Sequence, residues 1–344
     1  MNKLLYALLF SVIILSSCKK ESSGPSGIKK DVSVGASYAN EVFYNLDNGI
    51  VKSSPRDNWD IAFHTNIFSS TILTNGGEGV KLYAYPHDTT AWGSAADTVG
   101  LSSWPVLYNS DTTWTFGAFE RNALGHPDYG WGRYSDLSHD LIGDSLFVIQ
   151  LANGSYKMLW IVRKYSTLNK YVLKFSNIDG TGSQTTTIDC SPYTGENFIY
   201  FSIANNEVVE REPASADWDI VFTKYIQMVP FGPGIYMPYP VVGILSNTMR
   251  ISTMGTVTVN GVQTAKLTGV STSTNNYSAA TFKTDISNIG YDWKVFNNAT
   301  NQYSIADSVV YFVKRPDNSV YKIVFNDFGG SATGDITFTT TKLK

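Results

Sequence analysis

Residues 57–66 read DNWDIAFHTN, and residues 216–225 read ADWDIVFTKY. A chain that repeats itself at long range is built from repeated structural units, and this restricts its fold more than composition does. The correspondence continues in order along the chain. Trp59 and Trp218 lie 159 residues apart, and Trp131 of GWGRY and Trp293 of DWKVF lie 162 apart. The run DSLFVIQLANGSYKMLWI from Asp144 returns as DSVVYFVKRPDNSVYKIVF from Asp307, 163 residues on. Three matches in one order at nearly one offset predict a tandem duplication.

The repeated text is strand text. Short apolar-alternating runs are broken by Gly, Asn, Asp and Pro, aromatics reach 14%, and long helical runs are missing. The predicted fold is therefore all-β, with two homologous antiparallel β-sheet domains over residues 31–190 and 191–344. In each WDI phrase, period-two alternation predicts Trp59, Ile61 and Phe63 on one face and Asp60 and Ala62 on the other, with Trp218, Ile220 and Phe222 repeating the pattern. These aromatics are expected to face a core. Asn153-Gly154 predicts a type I′ hairpin turn, with Arg315-Pro316-Asp317-Asn318 in its place in the second copy. Residues 229–243, VPFGPGIYMPYPVVG, read as a rigid exposed loop.

The first residues belong to targeting rather than to the fold. Lys3 precedes an apolar run over residues 4–15 that is too short to span a bilayer as a helix. It ends in Leu15-Ser16-Ser17-Cys18, which resembles a bacterial lipobox, so residues 1–17 read as a lipoprotein signal peptide and Cys18 as the lipid attachment site. Residues 18–30, rich in Ser, Gly and Lys, read as a flexible tether. The mature chain is expected to be held at a membrane by its lipid alone, as an outer-membrane lipoprotein at the cell surface.

Several function classes lose support. With 26 Lys+Arg against 29 Asp+Glu there is no electrostatic footprint for nucleic acid. Beyond Cys18 the only cysteine is Cys190, so no internal disulfide is expected. No nucleophile elbow, HExxH helix, CxxC pair or P-loop is present, and the chain is not read as an enzyme.

NWDIAFH with its continuation NGGEG, then WDIVFTKY, then the closing run from Tyr291 through the DSVVYFVKRPDNSVYKIVF hairpin to DITFTT, resemble the HmuY family of haem-binding surface lipoproteins of Bacteroidetes. The resemblance implies an all-β fold, haem as cofactor, and a TonB-dependent outer-membrane receptor as partner. It also implies ligand positions, one of them two residues after the aromatic of a Trp-x-x-aromatic strand. Here Asp136 and Asn298 stand at that spacing, and neither is a histidine. The other ligand belongs to the preceding loop region, where the first copy has His126 and the second has no histidine.

The candidate iron ligands therefore lie outside the matching positions. His126 and His139 are 13 residues apart and flank the Trp131 strand, whereas His64 belongs to the strand phrase and His87 to loop-like text. Met228, Met237, Met249 and Met254 crowd one stretch of the second copy, and Met237 is its thioether candidate. Two alternatives stay open: a haem-independent binding or scaffold lipoprotein partnering a receptor, and glycan binding by aromatics of residues 229–243.

Overall fold

The computed structural model describes residues 26–253 and 256–344. The signal peptide expected over residues 1–17, Cys18 and Met254 lie outside the described residues. The strands, in chain order, are β1 (Ile28–Ser33), β2 (Asn40–Asn45), β3 (Gly49–Pro55), β4 (Ile61–His64), β5 (Ile72–Thr74), β6 (Lys81–Asp88), β7 (Gly132–Tyr134), β8 (Leu141–Gly143), β9 (Ser145–Gln150), β10 (Tyr156–Tyr165), β11 (Lys170–Asn177) and β12 (Gln184–Asp189). They continue as β13 (Phe198–Ser202), β14 (Glu207–Val209), β15 (Ile220–Gly232), β16 (Ile235–Ser246), β17 (Thr248–Thr253), β18 (Thr256–Gly261), β19 (Gln263–Thr268), β20 (Lys294–Asn297), β21 (Gln302–Ile305), β22 (Val309–Lys314), β23 (Val320–Phe328) and β24 (Asp335–Lys342). The one α-helix among the described residues is the four-residue Gly330–Thr333. No helix among them is long and apolar enough to cross a membrane. The fold is all-β, and every strand pairing is antiparallel.

Two units of matching topology emerge. In unit 1 the ladder runs β6-β9-β10-β11-β12, and in unit 2 it runs β19-β22-β23-β24-β1. Each unit adds a four-stranded sheet, β14-β13-β4-β5 in unit 1 and β3-β2-β15-β16 in unit 2. The strand-bearing part of unit 1 is one continuous stretch from β4 to β14. Unit 2 runs from β15 to β24 and is completed by β1, β2 and β3 from the start of the chain.

The division at 31–190 and 191–344 is therefore not how the strands pair. The β2–β3 hairpin joins β15 through Tyr44↔Ile220 and Val42↔Phe222, while the β13–β14 hairpin joins β4 through Phe201↔Ile61 and Ile199↔Phe63. Each hairpin thus pairs with the WDI strand of the other copy. The 18–30 tether is also shorter than expected, because Ile28 to Lys30 already pair with Thr340 to Phe338 in β24. Lys29 is exposed and Lys30 partly so on this edge strand, where charge guards against further pairing.

Each unit has its own core. Unit 1 buries Ile61, Phe63, Trp131, Phe147, Tyr171 and Phe201 together, and unit 2 buries Tyr44, Ile220, Phe222, Trp293, Phe325 and Phe338. The two long hairpins turn alike, but not by type I′. Gly154 N donates to Leu151 O and Asn318 N to Arg315 O, with Gly154 at φ 84° and Asn318 at φ 65°, while Asn153 is not left-handed. This is a three-residue loop in which a tight turn is closed by one left-handed residue, and Gly or Asn suits that place.

Residues 229–243 are not a loop either, for β15 and β16 extend as one ribbon to a turn at Gly232, Pro233 and Gly234. Its prolines give a strand ribbon the look of a loop. Pro238 and Pro240 lie on β16, an edge strand, where a missing N–H costs no inner ladder bond.

Candidate functional site

The WDI phrase is written twice because it locks each unit to the hairpin that crosses into it. Asp60 Oδ2 accepts from Ile203 N at 2.7 Å and Ala204 N at 3.3 Å, holding the β13–β14 turn. Asp219 Oδ2 accepts from Leu46 N at 2.8 Å, holding the β2–β3 turn, and its Oδ1 accepts from Arg315 Nε at 2.8 Å. Asn75 Nδ2 and Asn247 Nδ2 each donate to a WDI tryptophan carbonyl at 2.9 Å. Ile61, Phe63, Ile220 and Phe222 then fill the two cores.

The tryptophans do not join them. Trp59 packs with Ala62, Leu73 and Tyr200, and Trp218 with Phe43, Val221 and Leu245. The strands begin at Ile61 and Ile220, so the preceding Trp-Asp pairs escape the alternation that the sequence suggested. Both indoles face the space between the units. Trp59 meets Tyr200 edge-on at 4.9 Å and Trp218 meets Phe43 edge-on at 5.0 Å. Trp114 packs against both clusters and donates from Nε1 to Ser246 O at 2.9 Å.

A charged network lies where the two chain segments cross. Ser54 Oγ donates to Arg211 O at 3.1 Å, and Arg211 returns a bond to Pro55 O at 2.8 Å. The buried Arg211 guanidinium pairs with Glu41 at 3.1 Å and stacks over Tyr200 and Trp59. Arg56 is buried against Glu78. Glu212 accepts from Asn197 N, Phe198 N and Tyr200 Oη, and its burial pushes the carboxyl up to about 8. None of these charges had been singled out from the sequence, where only their nearness to the WDI phrases could have drawn notice.

The four histidines divide cleanly. His64 is 3% exposed, its Nδ1 accepts from Asn66 N at 3.0 Å, and burial holds the ring down at about 3. It is a core residue. His87 is exposed beside Tyr85. His126 and His139 are brought together, since both rings lie against Tyr134, with centroids 5.3 and 6.0 Å away. His139 Nδ1 is 2.6 Å from Tyr134 Oη and His126 Nδ1 is 3.5 Å from Tyr129 Oη. Both histidines are exposed. Asp136 sits in the same β7–β8 connection as His139, closed by His139 N donating to Ser135 O at 2.8 Å. Asn298 is exposed in the β20–β21 turn. Met237 stands on β16 in the other unit opposite Val229, 44% exposed, whereas Met249 is buried. No cluster of three or more His, Cys, Asp or Glu suited to a metal ion occurs among the described residues.

These features define an all-β chain of two interlocked units with an aromatic seam between them. Residues 194–339 match the HmuY protein family, a stretch that runs from β13 into β24. No curated protein matches the chain. Among solved structures, the crystal structure of apo PinO from Porphyromonas gingivitis is similar at 16% identity over 47% of this chain and 86% of that one, with a TM-score of 0.17.

Proposed function

We propose that the protein is a haem- or porphyrin-binding surface lipoprotein of HmuY type, anchored through Cys18 and passing its cargo to a TonB-dependent outer-membrane receptor. The observation that carries this reading is the family match over residues 194–339. Iron would be held in unit 1. The loop before β7 and the β7–β8 connection, to which the resemblance assigns ligands, meet around Tyr134, and each brings one exposed histidine there. The Nδ1 of His139 is taken by the Tyr134 hydroxyl, which leaves its Nε2 as the ring nitrogen for a metal, while the His126 Nδ1 lies 3.5 Å from Tyr129 Oη. Two imidazoles beside an aromatic ring are a donor set that suits the iron of a flat porphyrin. When bound, the haem would supply the iron and its redox chemistry, while His126 and His139 hold it and Tyr134 orients both rings.

The test is haem titration of the full mature chain, followed by Soret absorbance. A low-spin spectrum lost in His126→Ala or His139→Ala supports the histidine site. Loss in Met237→Ala instead moves the ligand to the hairpin of unit 2. No spectral change at tens of micromolar haem discards the haem reading. The second reading, a haem-independent binding or scaffold lipoprotein, is favoured by Asp136 and Asn298 at the matching ligand positions. Phe231, Tyr236 and Tyr239, exposed on the β15–β16 ribbon, offer it a surface for a receptor or a glycan.

A further inference from the structure

Between the two units lies a cavity that the histidine cluster does not reach. Trp59, Phe198 and Tyr200 wall it from unit 1, Phe43 and Trp218 from unit 2, and Trp114 closes the gap. A water-sized sphere can occupy about 90 Å³ of it. Two groups on its walls, Trp218 Nε1 and Tyr225 Oη, are buried with no hydrogen-bond partner. Buried donors seldom stay unpaired, because losing water without gaining an acceptor is costly. An aromatic-walled void also forgoes the dispersion contacts of a packed interior. One molecule could remedy both.

We propose that this cavity binds a small neutral molecule of at most one ring, carrying a hydroxyl or carbonyl oxygen that accepts from the Trp218 indole N–H. The size follows from the volume, since a benzene ring occupies an apolar cavity of roughly 150 Å³. At about 90 Å³ this cavity is smaller than that, so a single ring enters only with Trp59, which is partly exposed, displaced outward. A porphyrin does not fit, so this site is separate from the haem reading. Neutrality follows from the buried walls: Glu41 is committed to Arg211, Arg56 to Glu78, Asp111 to Gln227 and the Met228 amide, and Glu212 to the Asn197 and Phe198 amides and the Tyr200 hydroxyl, while Lys224 on the same wall is half-buried. The buried wall atoms still lacking partners belong to an uncharged indole and an uncharged phenol, and a neutral oxygen matches them.

Phenol and toluene, alike in shape but differing in the oxygen, are the probes, titrated into the full mature chain by calorimetry with tryptophan fluorescence alongside. Phenol should bind once per chain, more tightly than toluene, and raise the melting temperature. Trp218→Phe should weaken phenol about fivefold, the worth of one hydrogen bond, and leave toluene no weaker. Leu245→Phe, which grows into the cavity wall, should abolish both, with the sheet signal in circular dichroism kept. If Trp218→Phe does not fold, Leu245→Phe decides alone. Absence of saturable phenol binding in the millimolar range overturns the proposal, as does binding that Leu245→Phe leaves unchanged, or a crystal soaked in phenol that holds only water at Trp218.

Discussion

At the residue scale, burial sets protonation, and the buried groups pull in opposite directions with pH. His64 falls from its ordinary 6.5 to about 3 because its ring is enclosed and Lys164 lies near. A depressed histidine contributes stability above its unfolded value and loses it as pH falls toward the folded one. Glu120 and Glu212 are each raised by burial to about 8, so their contribution is complete below about 4.5 and is lost as pH rises through 8. Between pH 4.5 and 6.5 the two glutamates lose more with rising pH than His64 gains, so the urea midpoint should peak near pH 4.5 and decline on both sides. By pH 4.5 His64 has already lost about 2–3 kcal/mol of its own contribution. His64→Gln should flatten the acid limb and Glu120→Gln the alkaline limb. A His64→Gln profile that still falls as steeply toward acid would show that the ring is not the group responsible.

At the element scale, the crossed hairpins depend on very few atoms. Asp219 holds the Leu46 amide and the Arg315 guanidinium at once, and because Arg315 keeps its pair with Asp47, Asp219→Ala should cost about 1–3 kcal/mol by stranding the buried Leu46 amide. Asp219→Asn should cost less, and hydrogen exchange at Leu46 should quicken in both. The Gly76–Glu78 turn depends on close approach, for a Cβ on Gly77 would overlap the Lys224 carbonyl in β15. Gly77→Ala should therefore loosen the seam between units, read as a drop of a few degrees in melting temperature. What was legible here was local. The long hairpins could be read because their turn residues and alternation are self-contained. The β15–β16 ribbon was missed because prolines on an edge strand look like a loop, and the aromatic seam because Trp59 and Trp218 precede the strands whose alternation they were assigned.

At the scale of the whole molecule, repetition was plain in the sequence, but the pairing of repeats was not. Both WDI strands carry the same aspartate and the same apolar pattern, so each suits either hairpin, and nothing local distinguishes a hairpin folded onto its own repeat from one folded onto the other. The observed choice has a consequence for cutting the chain. Residues 57–212 contain every strand of unit 1 and its core, and should fold alone, with the seam residues Leu73 and Phe198 newly exposed. Residues 191–344 carry the family match but lack β1, β2 and β3, so β24 and β15 lose partners along Ile336 to Thr340 and Ile220 to Phe222. Open edges of that length invite aggregation. That fragment should be insoluble or molten, whereas a permuted chain running 213–344 and then 28–56 through a short flexible linker should be monomeric and sheet-rich. The linker is feasible because Ile28 pairs beside Thr340, which sets the two ends close together. Size-exclusion chromatography and circular dichroism on the three pieces decide the matter. A monomeric, cooperatively unfolding 191–344 would mean that the crossed pairing is dispensable and that the repeats are independent domains after all.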